Sequence, residues 1–231
     1  MSRPELKRTL LLALEQNDLD LVVSIARQDR KALSQLIRIS YDKDTLAGWR
    51  AIKAIGRAAR ELVKTDEDFL RTLIRKLLWS LSDESGGIGW SAPEILGEIV
   101  SAAPDRFNDF IPLIAEVYEV EEKVFRPGVV YALARIGEVA PERVVMYQKI
   151  IIMGITDQDP LVKVNTLDLI DKLWNVVNKE QKWSKEYLDK IVSSIIYLKN
   201  DAAVVWIYSD SGFIDVQVGE SANLLVEELG I

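Results

Sequence analysis

Trp49-Arg-Ala-Ile-Lys-Ala-Ile-Gly56 recurs in outline as Trp90-Ser-Ala-Pro-Glu-Ile-Leu-Gly97 and as Val130-Tyr-Ala-Leu-Ala-Arg-Ile-Gly137. The glycines lie 41 and then 40 residues apart, and Val162-Lys-Val-Asn-Thr-Leu-Asp-Leu169 is a fainter fourth copy with leucine in glycine's place. Around the first copy, Leu46, Trp49, Ile52, Ile55, Ala59 and Leu62 recur at steps of three and four, which marks an amphipathic helix. Thr65-Asp66-Glu67-Asp68 then reads as a capping stretch, and a second apolar face runs from Phe69 to Leu81. Two helices per period of about forty residues predict an α-solenoid, because one helix pair cannot bury its apolar face alone. Glycine inside a helix costs about 1 kcal/mol relative to alanine. Its recurrence therefore predicts a neighbouring backbone packed close against it.

Outward from these copies, two short helices are expected at about residues 4–16 and 19–39, the second broken near Asp29, with Asp18 and Asp29 as N-caps. Pro104-Asp-Arg-Phe107, Pro141-Glu-Arg-Val144 and Asp159-Pro160 predict helix starts, since proline suits the first helical position and an acid suits the first turn. After Asn200 the pattern changes. Ala203-Val-Val-Trp-Ile-Tyr208 and Phe213-Ile-Asp-Val-Gln-Val218 flank the turn Ser209-Asp-Ser-Gly212 and predict a β-hairpin, followed by a short helix. This end is expected to cap the last repeat, with a strand-adding partner edge as the other reading.

Asp42-Lys-Asp44 with Trp49-Arg50, and Asp157-Gln-Asp159-Pro160 with Val162-Lys163, resemble the turn-plus-basic pattern of HEAT repeats. The Ala-Ile-Gly and Arg-Ile-Gly endings resemble those of bacterial HEAT-like repeats of the phycobilisome-lyase type. The resemblance covers roughly Asp29 to Lys199. It implies an all-α, right-handed α-solenoid of about four to five HEAT-like helix pairs over 1–200, with 201–231 as a cap on the same domain. It implies no single activity, because HEAT-like repeats serve scaffolds, lyases, hydroxylases and DNA glycosylases alike.

Composition narrows the chemistry. The 231 residues include no cysteine and no histidine, which excludes disulfides, thiolate metal sites and the commonest general base. No cofactor or metal is called for, and a non-enzymatic role is favoured. A net charge of −7 argues against a nucleic-acid or anionic-membrane partner. No stretch approaches the roughly 20 apolar residues of a membrane span. The apolar run Leu10–Leu14 is too short for a signal peptide, so a cytoplasmic protein is expected.

The most informative connection is Ser82-Asp-Glu-Ser-Gly-Gly-Ile-Gly-Trp90. It lacks the lysine of a phosphate-binding P-loop and follows no strand, so a nucleotide site is a poor reading. Aligning the repeats residue for residue places Lys53 beside Glu94 and Arg57 beside Glu98, either as a ladder of ion pairs or as one wall of a groove. Arg126, one repeat further on, is expected to meet Glu84 or a ligand carboxylate. The expected function is protein–protein binding or scaffolding through the concave face and the 82–90 connection, with Glu84, Trp90, Glu94, Arg126, Arg50 and Lys163 as the candidate surface. The alternative is a small-ligand protein or a HEAT-like enzyme, glycosylase-like or lyase-like, with a pocket under the same connection.

Overall fold

A computed structural model of the chain describes residues 2–82 and 90–231. It divides into two compact units, Met1–Ile114 and Ala115–Ile231. The fold is predominantly α-helical, built from helix pairs, with one small antiparallel sheet near the C-terminal end.

The first unit holds α1 (Arg3–Glu15), α2 (Leu19–Gln28), α3 (Lys31–Ile39), α4 (Leu46–Leu62), α5 (Glu67–Leu81) and α6 (Ala92–Ala102). The chain passes into the second unit inside α7 (Ile111–Val120). Local chemistry sets the helix ends. Ser2 and Glu5 form a reciprocal capping box on α1, and Asp18 accepts the Leu21 amide at 3.0 Å to start α2. The expected break falls at Asp29, whose carboxylate accepts the Lys31 amide at 2.9 Å. Thr45 caps α4 through the Gly48 amide.

The apolar stripes then converge. Leu10 and Leu14 of α1, Val22 of α2, Leu36 of α3, Ile52 and Ile55 of α4, Ile74 of α5 and Ile95 of α6 are all fully buried. α4 is the central helix of this unit, packed against α1, α2, α3 and α6, while α5 packs on α4 and α6. Gly56 does what its recurrence predicted. A β-carbon there would lie 3.2 Å from the Glu98 carbonyl oxygen and 2.9 Å from the Glu98 Cβ, so α6 crosses α4 at a point where only glycine fits.

In the second unit α8 (Arg126–Gly137), α9 (Gln148–Ile155), α10 (Pro160–Glu180) and α11 (Lys185–Leu198) precede β1 (Val204–Ser209), β2 (Gly212–Gln217) and α12 (Val218–Leu229). α10 is the hub, packed against α8, α9 and α12. Asp159 caps α10 through the Leu161 amide at 2.8 Å, with Pro160 at its first position, as the sequence predicted. Trp183 is buried and donates its indole hydrogen to the Val145 carbonyl at 2.9 Å. The hairpin has the expected antiparallel register, Val204 opposite Gln217 through Ser209 opposite Gly212.

Two expected helix starts are corrected. Pro104 lies in a turn and Pro141 opens a single 3-10 turn, Pro141–Arg143, whereas the following helices begin at Ile111 and Gln148. The cause is apolar side chains within the connections themselves. Phe107, Phe110 and Val144 are buried, and turning the chain inward at those points precludes a continuous helix from the proline.

α12 packs on α10 and α11, so residues 201–231 belong to the second unit. Asp201 fastens this end. Its carboxylate accepts Lys163 Nζ at 2.8 Å and the Ala203 amide at 3.0 Å, and its carbonyl accepts the Gly219 amide. The Lys163 hydrogen bond, followed by that of the Ala203 amide, holds the Asp201 carboxyl below its ordinary value. A depressed carboxylate stabilises the fold above its unfolded pKa of about 3.9, and that contribution disappears as pH falls through the lower folded value. Asp201→Asn is therefore expected to lower the melting temperature at pH 7, with the gap to the wild type closing as the pH falls through the lowered Asp201 value. Thermal melts of both proteins from pH 7 downward check this, and a gap that persists unchanged in acid contradicts it.

Candidate functional site

Glu84 and the rest of 83–89 lie outside the described residues, so the candidate surface is built from the residues on either side. In the first unit α5 ends at Leu81 and α6 begins at Ala92. α5 buries Leu70, Leu73, Ile74, Leu77 and Leu81, a stripe at helical spacing. Trp79 is off that stripe and 71% exposed, and Trp90, just before α6, is 43% exposed. Two large aromatic surfaces thus stand at the two ends of the 82–90 connection.

Behind Trp90 the first turn of α6 is buried and polar. Ser91 and Ser40 share a hydroxyl–hydroxyl hydrogen bond of 2.7 Å, both fully buried. Glu94, 3% exposed, accepts Lys43 Nζ on Oε1 at 2.7 Å, while its Oε2 is buried without a hydrogen-bond partner among the described residues. One turn on, Glu98 accepts Lys53 at 2.8 Å. The expected pairing of Lys53 with Glu94 and of Arg57 with Glu98 is thus corrected. Gly56 receives Glu98, one residue past the Gly97 that residue-for-residue alignment sets there, and the Glu98 carboxylate lies beside Lys53. Glu94 pairs instead with Lys43 in the preceding connection, and among the described residues Arg57 meets Asp20, at 3.7 Å on the surface. Arg50 points elsewhere and donates to the Leu14 and Glu15 carbonyls at 2.9 and 3.0 Å, where it satisfies the C-terminal end of α1.

Arg126 and Lys163 belong to the second unit. Lys163 is the Asp201 partner already described. Arg126 bonds Asp157 at 3.0 Å and the Tyr118 carbonyl at 3.3 Å, and its guanidinium lies 5.1 Å from the Tyr118 ring centre. The Tyr118 hydroxyl donates to the same Asp157 oxygen at 3.1 Å. Burial tends to raise the Asp157 carboxyl, but hydrogen bonds from the Asp159 amide, Tyr118 and Arg126 outweigh it and hold the group below its ordinary value. Burial and then the Asp157 charge push the Tyr118 hydroxyl far above the usual phenol range. This cluster edges a depression of about 470 Å³ that Lys123, Met153 and Asp159 also line. Its cation and its anion are spent on each other, which leaves neither poised for proton transfer.

Among the described residues none of Arg50, Trp90, Glu94, Arg126 and Lys163 bonds to another of the five. The exposed Trp79 was missed from sequence, although its position two residues beyond Leu77 puts it off the apolar stripe. Tyr118 with Asp157 was missed because the two are 39 residues apart and only the fold joins them. Among the described residues no group of three or more His, Cys, Asp or Glu side chains converges to hold a metal, and no helix is long and apolar enough to cross a membrane.

No family model matches the chain, so the phycobilisome-lyase-type naming rests on the repeat endings alone. An uncharacterised protein of Archaeoglobus fulgidus is 33% identical over 110 residues, which are 46% of this chain and 54% of that protein; the chain thus spans about half the length of this relative. An engineered protein of known crystal structure superposes with a TM-score of 0.53 at 14% identity, over 100% of this chain and 97% of that one. An archaeal HEAT-like repeats protein from Thermococcus onnurineus gives a TM-score of 0.39 at 15% identity, over the same shares of the two chains. The similarity to the engineered protein shows a shared overall fold and is silent on activity.

Proposed function

We propose that this is a non-enzymatic protein-interaction module of HEAT-like type, which engages a protein partner through the α5 face and the 82–90 connection of its first unit. The observation that carries the reading is the exposure of Trp79 and Trp90 at the two ends of that connection. Tryptophan is the residue most enriched among interface hot spots, and an exposed pair flanking one segment makes a natural anchor. Glu84 and Glu94 belong to this reading by position, Glu94 as the buried support under Trp90. Arg50, Arg126 and Lys163 enter it as residues that hold helix ends and connections in place. In the second unit, residues 201–231 act as a cap over α10 and α11. The absence of histidine and cysteine from the sequence and the mutual neutralisation of Arg126 and Asp157 both favour binding over catalysis.

The test is capture of partners from a lysate of the native organism with the wild type and with Trp79→Ala/Trp90→Ala. Both side chains are exposed, so the melting temperature is expected to stay unchanged. Losing two anchors is expected to weaken the partner by about 30-fold or more. A partner bound by the wild type and released by the variant supports the reading. Equal retention by both proteins refutes the 82–90 surface.

A further inference from the structure

One face of the hairpin is aromatic and open to solvent. Side chains directly opposite each other in an antiparallel pair share one face. Trp206 lies opposite Asp215 and Tyr208 opposite Phe213, so these four stand together on one side. Trp206 stacks on Phe213, with ring centres 5.9 Å apart and planes 21° apart. Tyr208 meets the same Phe213 ring edge-on at 6.4 Å. A stack covers only one face of an indole. Trp206 is still 67% exposed, which leaves its other face to solvent, and Val204 on the same side is 56% exposed.

Charge sets the sign of the occupant, and the pairing of ring with carboxylate sets its shape. After Lys199 the sequence holds Asp201, Asp210, Asp215, Glu220, Glu227 and Glu228 and no lysine or arginine. Asp201 is paired with Lys163, whereas the other five carboxylates are on exposed residues. Asp215 stands directly across the ladder from Trp206. A guanidinium matches that pair, because its plane lies flat on an aromatic ring while its N–H fork meets a carboxylate. The same unit already contains this arrangement, filled from within. The Arg126 guanidinium lies 5.1 Å from the Tyr118 ring centre and 3.0 Å from the Asp157 carboxylate. The hairpin presents the ring and the carboxylate, and its own segment supplies no arginine. We propose that the Trp206–Asp215 face binds an arginine side chain carried by a basic segment of a protein partner. The guanidinium lies on the open face of Trp206 and donates to Asp215, and the surrounding carboxylates draw the segment in. This surface belongs to the second unit and does not depend on the one around Trp79 and Trp90.

The test is calorimetric titration of the full chain, at low salt, with a short peptide that alternates glycine and arginine. A glycine–lysine peptide of equal charge and an uncharged glycine–glutamine peptide are the comparisons. The arginine peptide is expected to bind with a dissociation constant below about 1 mM. It should bind about threefold tighter than the lysine peptide, which carries the charge without the planar fork. Trp206→Ala is expected to weaken the arginine peptide about tenfold with unchanged circular dichroism. Asp215→Asn keeps the side-chain shape, serves as the second variant should Trp206→Ala disturb the hairpin, and is expected to cost about fivefold. Asp210→Asn, in the turn, is expected to change the affinity by less than about 1.5-fold. No binding of the arginine peptide up to about 1 mM overturns the proposal, as does binding that survives both Trp206→Ala and Asp215→Asn. A lysine peptide that binds as tightly, or an Asp210→Asn loss equal to that of Asp215→Asn, overturns it by reducing the attraction to diffuse acidity. An uncharged peptide that binds as tightly also overturns it, by giving the hairpin to strand addition.

Discussion

Replacing Lys43 with methionine is expected to destabilise the first unit by about 3 kcal/mol. The pair is asymmetric: the Lys43 side chain is 30% exposed, whereas that of Glu94 is only 4% exposed. Removing the lysine strands a buried carboxylate that already has one oxygen without a hydrogen-bond partner among the described residues. Breaking a buried pair by deleting one member typically costs about 3–5 kcal/mol, because the surviving charge cannot regain its water. The first turn of α6 softens the loss slightly, since a helix N-terminus favours an anion by about 0.3–1 kcal/mol. Glu94→Met is expected to cost less, because the freed ammonium can turn out to solvent. The double variant Lys43→Met/Glu94→Met should recover most of the single loss, as apolar replacements of a buried pair often do. Urea midpoints of the four proteins close a double-mutant cycle. A coupling of about 2 kcal/mol supports the account, and additivity to within about 0.5 kcal/mol contradicts it. The pair also ties the 40–45 connection to the turn that carries Trp90. Lys43→Met should therefore weaken partner capture without touching the partner.

How much of this was legible in advance depends on distance along the chain. Helix identities and most ends follow from local chemistry, and Asp18, Thr45 and Asp159 cap through residues only two or three positions away. The hairpin was equally legible, since β-branched and aromatic runs around a short polar turn leave few other options. The restarts at Pro104 and Pro141 failed because Phe107 and Val144 are drawn into the core, and no local rule weighs a buried side chain against a capping signal. The ion-pair partners differed from the alignment, Lys53 meeting Glu98 rather than Glu94, for a similar reason. A repeat alignment states which residues are equivalent, but the crossing point of two helices is chosen by where their backbones fit closest. Here that point is Gly56 against Glu98. For the candidate surface, Trp90 was legible as a singular residue, whereas Arg50 and Lys163 were read as part of a binding surface. Their partners are a helix end 35 residues away and an aspartate 38 residues away.

That crossing point yields the second large expected effect. Gly56→Ala should destabilise the first unit by about 1–3 kcal/mol, although alanine is the better helix former by about 1 kcal/mol. The new methyl group would lie 2.7 Å from Glu98 Oε2, 2.9 Å from its Cβ and 3.2 Å from its carbonyl oxygen. The carboxylate is anchored by Lys53 and the carbonyl is part of α6, so neither can retreat without moving the helix. Gly137, the equivalent residue two copies on, is the internal control. A methyl group there meets Leu173 Cδ2 at 3.3 Å and Leu169 Cδ1 at 3.7 Å, the ends of side chains that can shift by a few tenths of an ångström. Gly137→Ala is therefore expected to be neutral or stabilising by up to about 1 kcal/mol, with the helix-propensity gain undiminished. Melting temperatures of the two variants should move in opposite directions, or at least differ clearly. If both fall alike, the glycines are conformational hinges rather than contact points, and the pairing of Lys53 with Glu98 needs another cause. If Gly56→Ala falls alone, the glycine marks the contact that sets the register of α6. Glu94 then reaches Lys43, and the first turn of α6 beneath Trp90 is held in place, because glycine stands at position 56.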